Sequence, residues 1–165
     1  MKKQILFSEK QKFTQWWIWL ILIGINATIL VAIIIQVFGD MEFGNNPMSD
    51  LGLFMTSVLT SLLTIMFFNL RLETQMTEEG VFVKFFPFHT SFRFYSWEII
   101  EKSYVRQYRP IGEFGGWGIR GLSKNRALNV SGNFGLQLEL KENKRLLIGT
   151  QKPEEIKLVL IGLGK

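Results

Sequence analysis

Two long runs without a charged side chain dominate the first 70 positions. Trp16 to Phe38, WWIWLILIGINATILVAIIIQVF, is 23 residues, and as a helix it would extend about 34 Å at about 1.5 Å per residue. Leu51 to Leu70, LGLFMTSVLTSLLTIMFFNL, adds 20 residues, or about 30 Å, the hydrocarbon thickness of a typical bilayer. Both runs are apolar all round, and the chain has too little other protein to bury two such helices. The pattern predicts a two-helix transmembrane hairpin over 16–38 and 51–70. A cleaved signal peptide does not fit, because the first run exceeds a signal core and no small-x-small cleavage site closes it before Gly39. Within the second run Thr56, Thr60 and Thr64 recur every four residues beside Ser57 and Ser61. Asn26 lies at about the depth of Thr60 in an antiparallel hairpin, so helix-to-helix hydrogen bonds are expected there.

After Leu70 the pattern becomes short alternating runs broken by Gly, Pro and Asn, which places a domain boundary at Arg71. Candidate strands are Arg71 to Met76, Val81 to Phe86, Ser91 to Ser96, Lys102 to Tyr108, Gly118 to Leu122, Gly135 to Leu140 and Arg145 to Gly149. Leu136, Leu138 and Leu140 alternate with Gln137 and Glu139 ahead of a KENK turn, the signature of a hairpin with one face inward. A closing helix follows, with Thr150 as its cap, Pro153 in its first turn and Glu154 and Glu155 at the positive end of its dipole. Ile156, Val159 and Leu160 form its inward stripe. The predicted organisation is a tail and hairpin over 1–70 and a domain over 71–165.

Charge then sets an orientation. The tail carries Lys2, Lys3, Lys10 and Lys12 against Glu9, the connection between the helices carries Asp40, Glu42 and Asp50 with no base, and the chain after Leu70 is net basic. Basic flanks stay in the cytoplasm, so both termini are expected there, with the acidic loop exported. Trp16, Trp17 and Trp19 would form an inner aromatic belt, level with Phe67 and Phe68.

With no cysteine and one histidine, the chain lacks the side chains of most thiol, imidazole and metal chemistry. His89 follows Pro87 and Phe88 in a turn and reads as solvated. Glu78 and Glu79, and Glu98 and Glu101, read as surface charge rather than a paired acid and base. No catalytic residue, metal site or cofactor is expected, and neither GxGxxG nor GxxxxGK[ST] occurs. Arg106, Arg109, Arg120, Lys124 and Arg126 surround a single acid, Glu113, and Trp117 sits among Gly115, Gly116 and Gly118. Arginines hold phosphate or carboxylate bidentately, so these cations and Trp117 are the candidate anion or partner site. A solvated face with Glu113 bridged to an arginine, and Trp117 as a plug at a strand edge, is the competing reading. Nucleic acid is not an expected partner, because no RNA or DNA motif interleaves aromatics with these bases.

Three stretches resemble bacterial membrane-anchored pleckstrin-homology-like (PH-like) proteins: MTEEGVFVKFFPF, the YSWEII strand end, and LLIGTQKPEEI entering the closing helix. RQYRPIGEFGGWGIRG is similar to the signature of one uncharacterised group with a two-helix N-terminal hairpin. The resemblance implies an α+β membrane protein, its hairpin followed by a seven-strand open barrel or sandwich and a C-terminal helix. It implies no reaction. KFFPFHTSFR does not reproduce the basic early hairpin that binds phosphoinositides, having only Lys84 and Arg93. The expected function is a non-enzymatic binding or scaffold module at the cytoplasmic face of the bacterial plasma or inner membrane. Its expected partners are the lipid bilayer, acidic lipid head groups, a membrane or cytosolic protein, or a second copy of itself. The alternative is a small auxiliary subunit of a transporter or channel.

Overall fold

A computed structural model describes residues 4–39, 41–122 and 124–165. Lys2, Lys3 and Asp40, which entered the charge reading, lie outside the described residues. The chain divides into two compact units, Thr14–Asn69, and the N-terminal segment through Phe13 together with Leu70–Lys165. The expected division at Leu70 is therefore corrected: the residues before the hairpin belong to the domain that follows it.

The reason is a strand absent from the sequence reading. Ile5–Lys12 (β1) pairs antiparallel with Arg71–Thr77 (β2), with Lys12 opposite Arg71, Gln11 opposite Leu72 and Glu9 opposite Thr74. Phe7, Glu9, Gln11 and Phe13 are buried while Ser8, Lys10 and Lys12 are exposed, the two-residue alternation of a half-buried strand. The sheet continues as a meander through Gly80–Phe86 (β3) to Arg93–Ser96 (β4). Its inward rows, Leu72 with Phe85, Thr74 with Val83 and Met76 with Val81, are fully or almost fully buried. Each such apolar side chain contributes about 1.5–3 kcal/mol of burial.

The second sheet runs in the order β5-β8-β9-β7-β6, from Ile100–Gln107 (β5), Gly118–Leu122 (β6), Asn125–Asn129 (β7), Phe134–Leu140 (β8) and Lys144–Thr150 (β9). Seven strands were expected, and nine are present among the described residues. The addition here is β7, which pairs antiparallel with β6 and parallel with β9. One face of this sheet is the apolar row Leu136, Ile148 and Leu128, in register across β8, β9 and β7. On the other face Ala127 and Leu147 cluster with Tyr108, covered by Phe114. Phe114 ends a one-turn helix, Pro110–Phe114 (α3), also unanticipated.

Pro153–Gly162 (α4) closes the domain, with Ile156 and Leu160 buried, and touches β5, β8 and β1. Thr150 is not its cap as expected but the last residue of β9. It sits two positions before Lys152, whose backbone N–H donates to the Thr150 hydroxyl at 2.9 Å.

Trp16–Ile33 (α1), prolonged by a π-helical turn over Ile34–Phe38, and Asp50–Asn69 (α2) form the other unit. Both are long and apolar enough to cross a membrane by length and composition. Asn26 donates to Thr64 Oγ1 at 2.9 Å and accepts from Thr60 and Ser61 at 3.3 and 3.4 Å, so the stripe meets Asn26 as expected. Trp19 and Phe68 contact edge to face at 6.2 Å, which puts them at one level of the hairpin.

Candidate functional site

Pro110 fixes the first turn of α3, since its missing N–H would be unsatisfied there in any case, and Gly115 ends it. At φ 71° Gly115 adopts the left-handed backbone that favours glycine, and its N–H closes on the Ile111 carbonyl at 2.9 Å. The helix returns Glu113 toward the start of its own turn. One carboxylate oxygen accepts from the Arg109 backbone N–H at 2.8 Å and the other accepts Arg106 Nη2 at 2.8 Å. Arg106 Nε also donates to Gln137 at 3.1 Å.

Beneath α3 lies a buried polar pair. Asn129, fully buried, donates to the Tyr108 hydroxyl at 3.1 Å and accepts the Gly118 N–H at 2.8 Å. Gly149 permits this approach, because a Cβ there would stand 2.9 Å from the Asn129 Cβ. Burial pushes the Tyr108 phenol up from its ordinary value, so it stays neutral.

Between α3 and the second sheet opens a groove of about 720 Å³, lined by Tyr108, Arg109, Glu113, Trp117 and Asn133 among others. Arg109 and Trp117 are thus brought together. Trp117 is half-buried and its indole N–H donates to the Gly132 carbonyl at 3.3 Å, in keeping with the strand-edge reading. No carboxylate of the described residues pairs with the Arg109 guanidinium, whereas Arg106 is held by Glu113.

The remaining cations do not join them. Arg120 folds back, its Nε on the Trp117 carbonyl at 2.9 Å. In register it opposes Ala127, and Arg126 is the next residue along β7, so Arg120 and Arg126 project from opposite faces. Lys124 lines a separate hollow with Glu101, Glu139 and Arg145. The expectation of one basic face is corrected on that register. His89 also departs from expectation: it is buried, and its Nδ1 accepts the Phe85 N–H at 3.3 Å. Burial, then the Arg93 and Arg126 charges, lower its pKa. Glu78, Glu98 and Glu101 are exposed, as surface charges should be.

The hydrogen bond from Arg106 is the largest cause holding the Glu113 carboxyl below its usual value. A depressed carboxylate contributes stability that is complete above the unfolded pKa and disappears as pH falls through the folded one. The contact should therefore weaken only below about pH 4.5, and NMR titration of Glu113 should move back toward the ordinary carboxylate range in Arg106→Gln.

Compared with protein-family models, curated proteins and solved structures, the chain matches none. The arrangement itself defines a basic groove with one open guanidinium, a flat indole and a carboxylate already neutralised by Arg106. Its chemistry suits a carboxylate or phosphate next to an apolar group.

Proposed function

We propose that this chain is a non-enzymatic binding module anchored in a bacterial plasma or inner membrane, with a PH-like domain on the cytoplasmic side. The observation that carries the reading is where the hairpin emerges. The chain leaves the domain after Phe13 and returns at Leu70, between strands paired with Lys12 opposite Arg71. An antiparallel pair returns the chain to the end it left, so a hairpin inserted there puts both chain ends on one side of any bilayer it spans. The basic flanks make that side the cytoplasm. Residues such as Leu20, Ile23, Leu30, Phe54, Leu59 and Leu62 are at least 58% exposed, a surface suited to lipid chains rather than water.

A four-stranded antiparallel sheet, a second sheet and a closing helix support the PH-like reading at the level of layers; the parallel pairing of β7 with β9 departs from it. Binding rather than catalysis is favoured because Glu113, the carboxylate in the groove, is ion-paired and the single histidine is packed in the loop after β3. The transporter-subunit alternative would turn the Thr56-Thr60-Thr64 stripe toward another membrane protein. Thr60 and Thr64 instead hydrogen-bond Asn26 within the hairpin, which favours the binding-module reading. Asn26→Leu should lower hairpin stability by about 0.6–2 kcal/mol, since it removes three interhelical bonds that average about 0.6 kcal/mol each in a bilayer, checked by steric-trap or detergent unfolding.

The groove would receive the partner's anionic group on Arg109. Full-length protein extracted in native-membrane discs should carry a stoichiometric partner. Arg109→Gln should lower its recovery by about tenfold or more, because hydrogen bonds to charged groups contribute about 1.5–3 kcal/mol. Undiminished recovery with this exposed substitution would remove the groove from the account.

A further inference from the structure

The first sheet carries a second surface, which the sequence pattern does not anticipate. The outward residues of β1, β2 and β3 form rows in register: Lys12, Arg71 and Phe86, then Lys10, Glu73 and Lys84. Glu73 is the one acid among four cations and is held by two of them, Arg71 at 2.8 Å and Lys84 at 3.1 Å. Arg71 also lies over the Phe86 ring at 4.5 Å and Lys84 over Phe92 at 4.7 Å. Phe88, in the turn just past Phe86, is 59% exposed.

From these rows we infer that the Lys12–Arg71–Phe86 end of the first sheet, with Phe88 at its tip, is seated in the head-group layer of an anionic leaflet. The inference rests on the membrane reading above and adds the face that meets lipid. Arg71 follows the last residue of α2, Asn69, by two positions, so the chain can carry its Cα at most about 7 Å from that helix end. Lys12 precedes Trp16, the first residue of α1, by four, a reach of at most about 14 Å. The head-group region of one leaflet is about 5–8 Å deep. Arg71 is therefore held within or at the edge of it however the domain is tilted, and Phe86 is fixed beside Arg71 by the ladder. Charge and side-chain type agree with that location. Each cation near an acidic leaflet gains roughly fivefold in occupancy, and an exposed phenylalanine flanked by cations is suited to the interface between water and acyl chains.

Because the chain contains no cysteine, single cysteines can report position in the full-length protein. Phe88→Cys, Glu78→Cys and Val58→Cys would each carry an environment-sensitive fluorophore, in vesicles of phosphatidylcholine with or without phosphatidylglycerol. Glu78 lies in the turn at the far end of β2 from Arg71, about 24 Å away along the strand. The label at 88 should be quenched by head-group nitroxide lipid at least about twofold more than the label at 78, and more strongly with phosphatidylglycerol present. Lys10→Gln with Lys12→Gln, both exposed, should remove the phosphatidylglycerol increment. Equal quenching at 88 and 78, or an increment that survives the double substitution, would overturn the inference. Acyl-chain quenching at 58 separates the two levels: its presence with no quenching at 88 refutes this seating and leaves the anchored module standing. Its absence overturns both.

Discussion

A fragment comprising residues 71–165 should not fold, whereas residues 4–13 joined by a short Gly-Ser turn to residues 70–165 should. The fragment loses β1, and with it the buried Phe7, Glu9, Gln11 and Phe13. Phe7 and Phe13 alone represent about 3–6 kcal/mol of burial, and removing the strand also exposes the inward row of β2 and the ladder groups that β1 satisfies. That loss is comparable to the entire stability of a small domain, about 5–15 kcal/mol. The rejoined chain needs no more than a tight loop, because Lys12 and Arg71 are directly opposed and a hairpin connection of two to five residues spans such ends. The check is circular dichroism and amide dispersion of the two proteins side by side. A cooperative, native-like 71–165 fragment would show that β1 is dispensable.

The second large effect concerns Glu9. Its carboxylate accepts the Thr150 hydroxyl at 2.6 Å and the Gln151 backbone N–H at 2.8 Å, and Gln11 beside it donates to the Gly149 carbonyl at 2.7 Å. Through these bonds the strand that precedes the hairpin is tied to the end of β9, where the chain turns into α4. Glu9→Leu leaves a buried hydroxyl and a backbone N–H without an acceptor. At about 1.5–3 kcal/mol for a hydrogen bond to a charged group, the expected destabilisation is about 3 kcal/mol or more. Glu9→Gln keeps an acceptor for Gln151 and should cost distinctly less. Urea unfolding of the rejoined domain measures both. Equal, small losses would mean that Glu9 is incidental to the fold.

These two residues also explain what the sequence concealed. ILFSEKQK alternates correctly for a strand, but its inward set is Phe, Glu, Gln and Phe, and Glu9 and Gln11 look solvent-directed until Thr150 and Gly149, about 140 positions away, are known to receive them. Asn125–Asn129 shows no clear apolar alternation, so it does not stand out as a strand. Nothing local announces that Asn129 bonds Tyr108 or that the strand runs parallel to β9. The one-turn α3 did leave a signal, Pro110 at its start and Gly115 after its end. It was too short to show a periodic stripe. His89 is buried by the return of the chain after Pro87 to the Phe85 amide, a contact invisible from residue type. The hairpin was legible because apolar length alone determines it, and so were the seven strands with clear alternation. The basic cluster shows the opposite difficulty: its members are near in sequence, yet the register sends Arg120 and Arg126 to different faces. The basic residues that the register does gather, Lys10, Lys12, Arg71 and Lys84, come from three strands, two of them separated in sequence by the whole hairpin.

The central proposal is a domain whose sequence is interrupted by a membrane hairpin, with both chain ends in the cytoplasm. Single cysteines at Gln4, Asn45 and Lys141 test it directly, using an impermeant thiol reagent on intact cells and then on permeabilised ones. The account predicts labelling of Asn45→Cys alone in intact cells and of all three after permeabilisation. Labelling of Gln4→Cys or Lys141→Cys from outside, or protection of Asn45→Cys until the cells are opened, would contradict it.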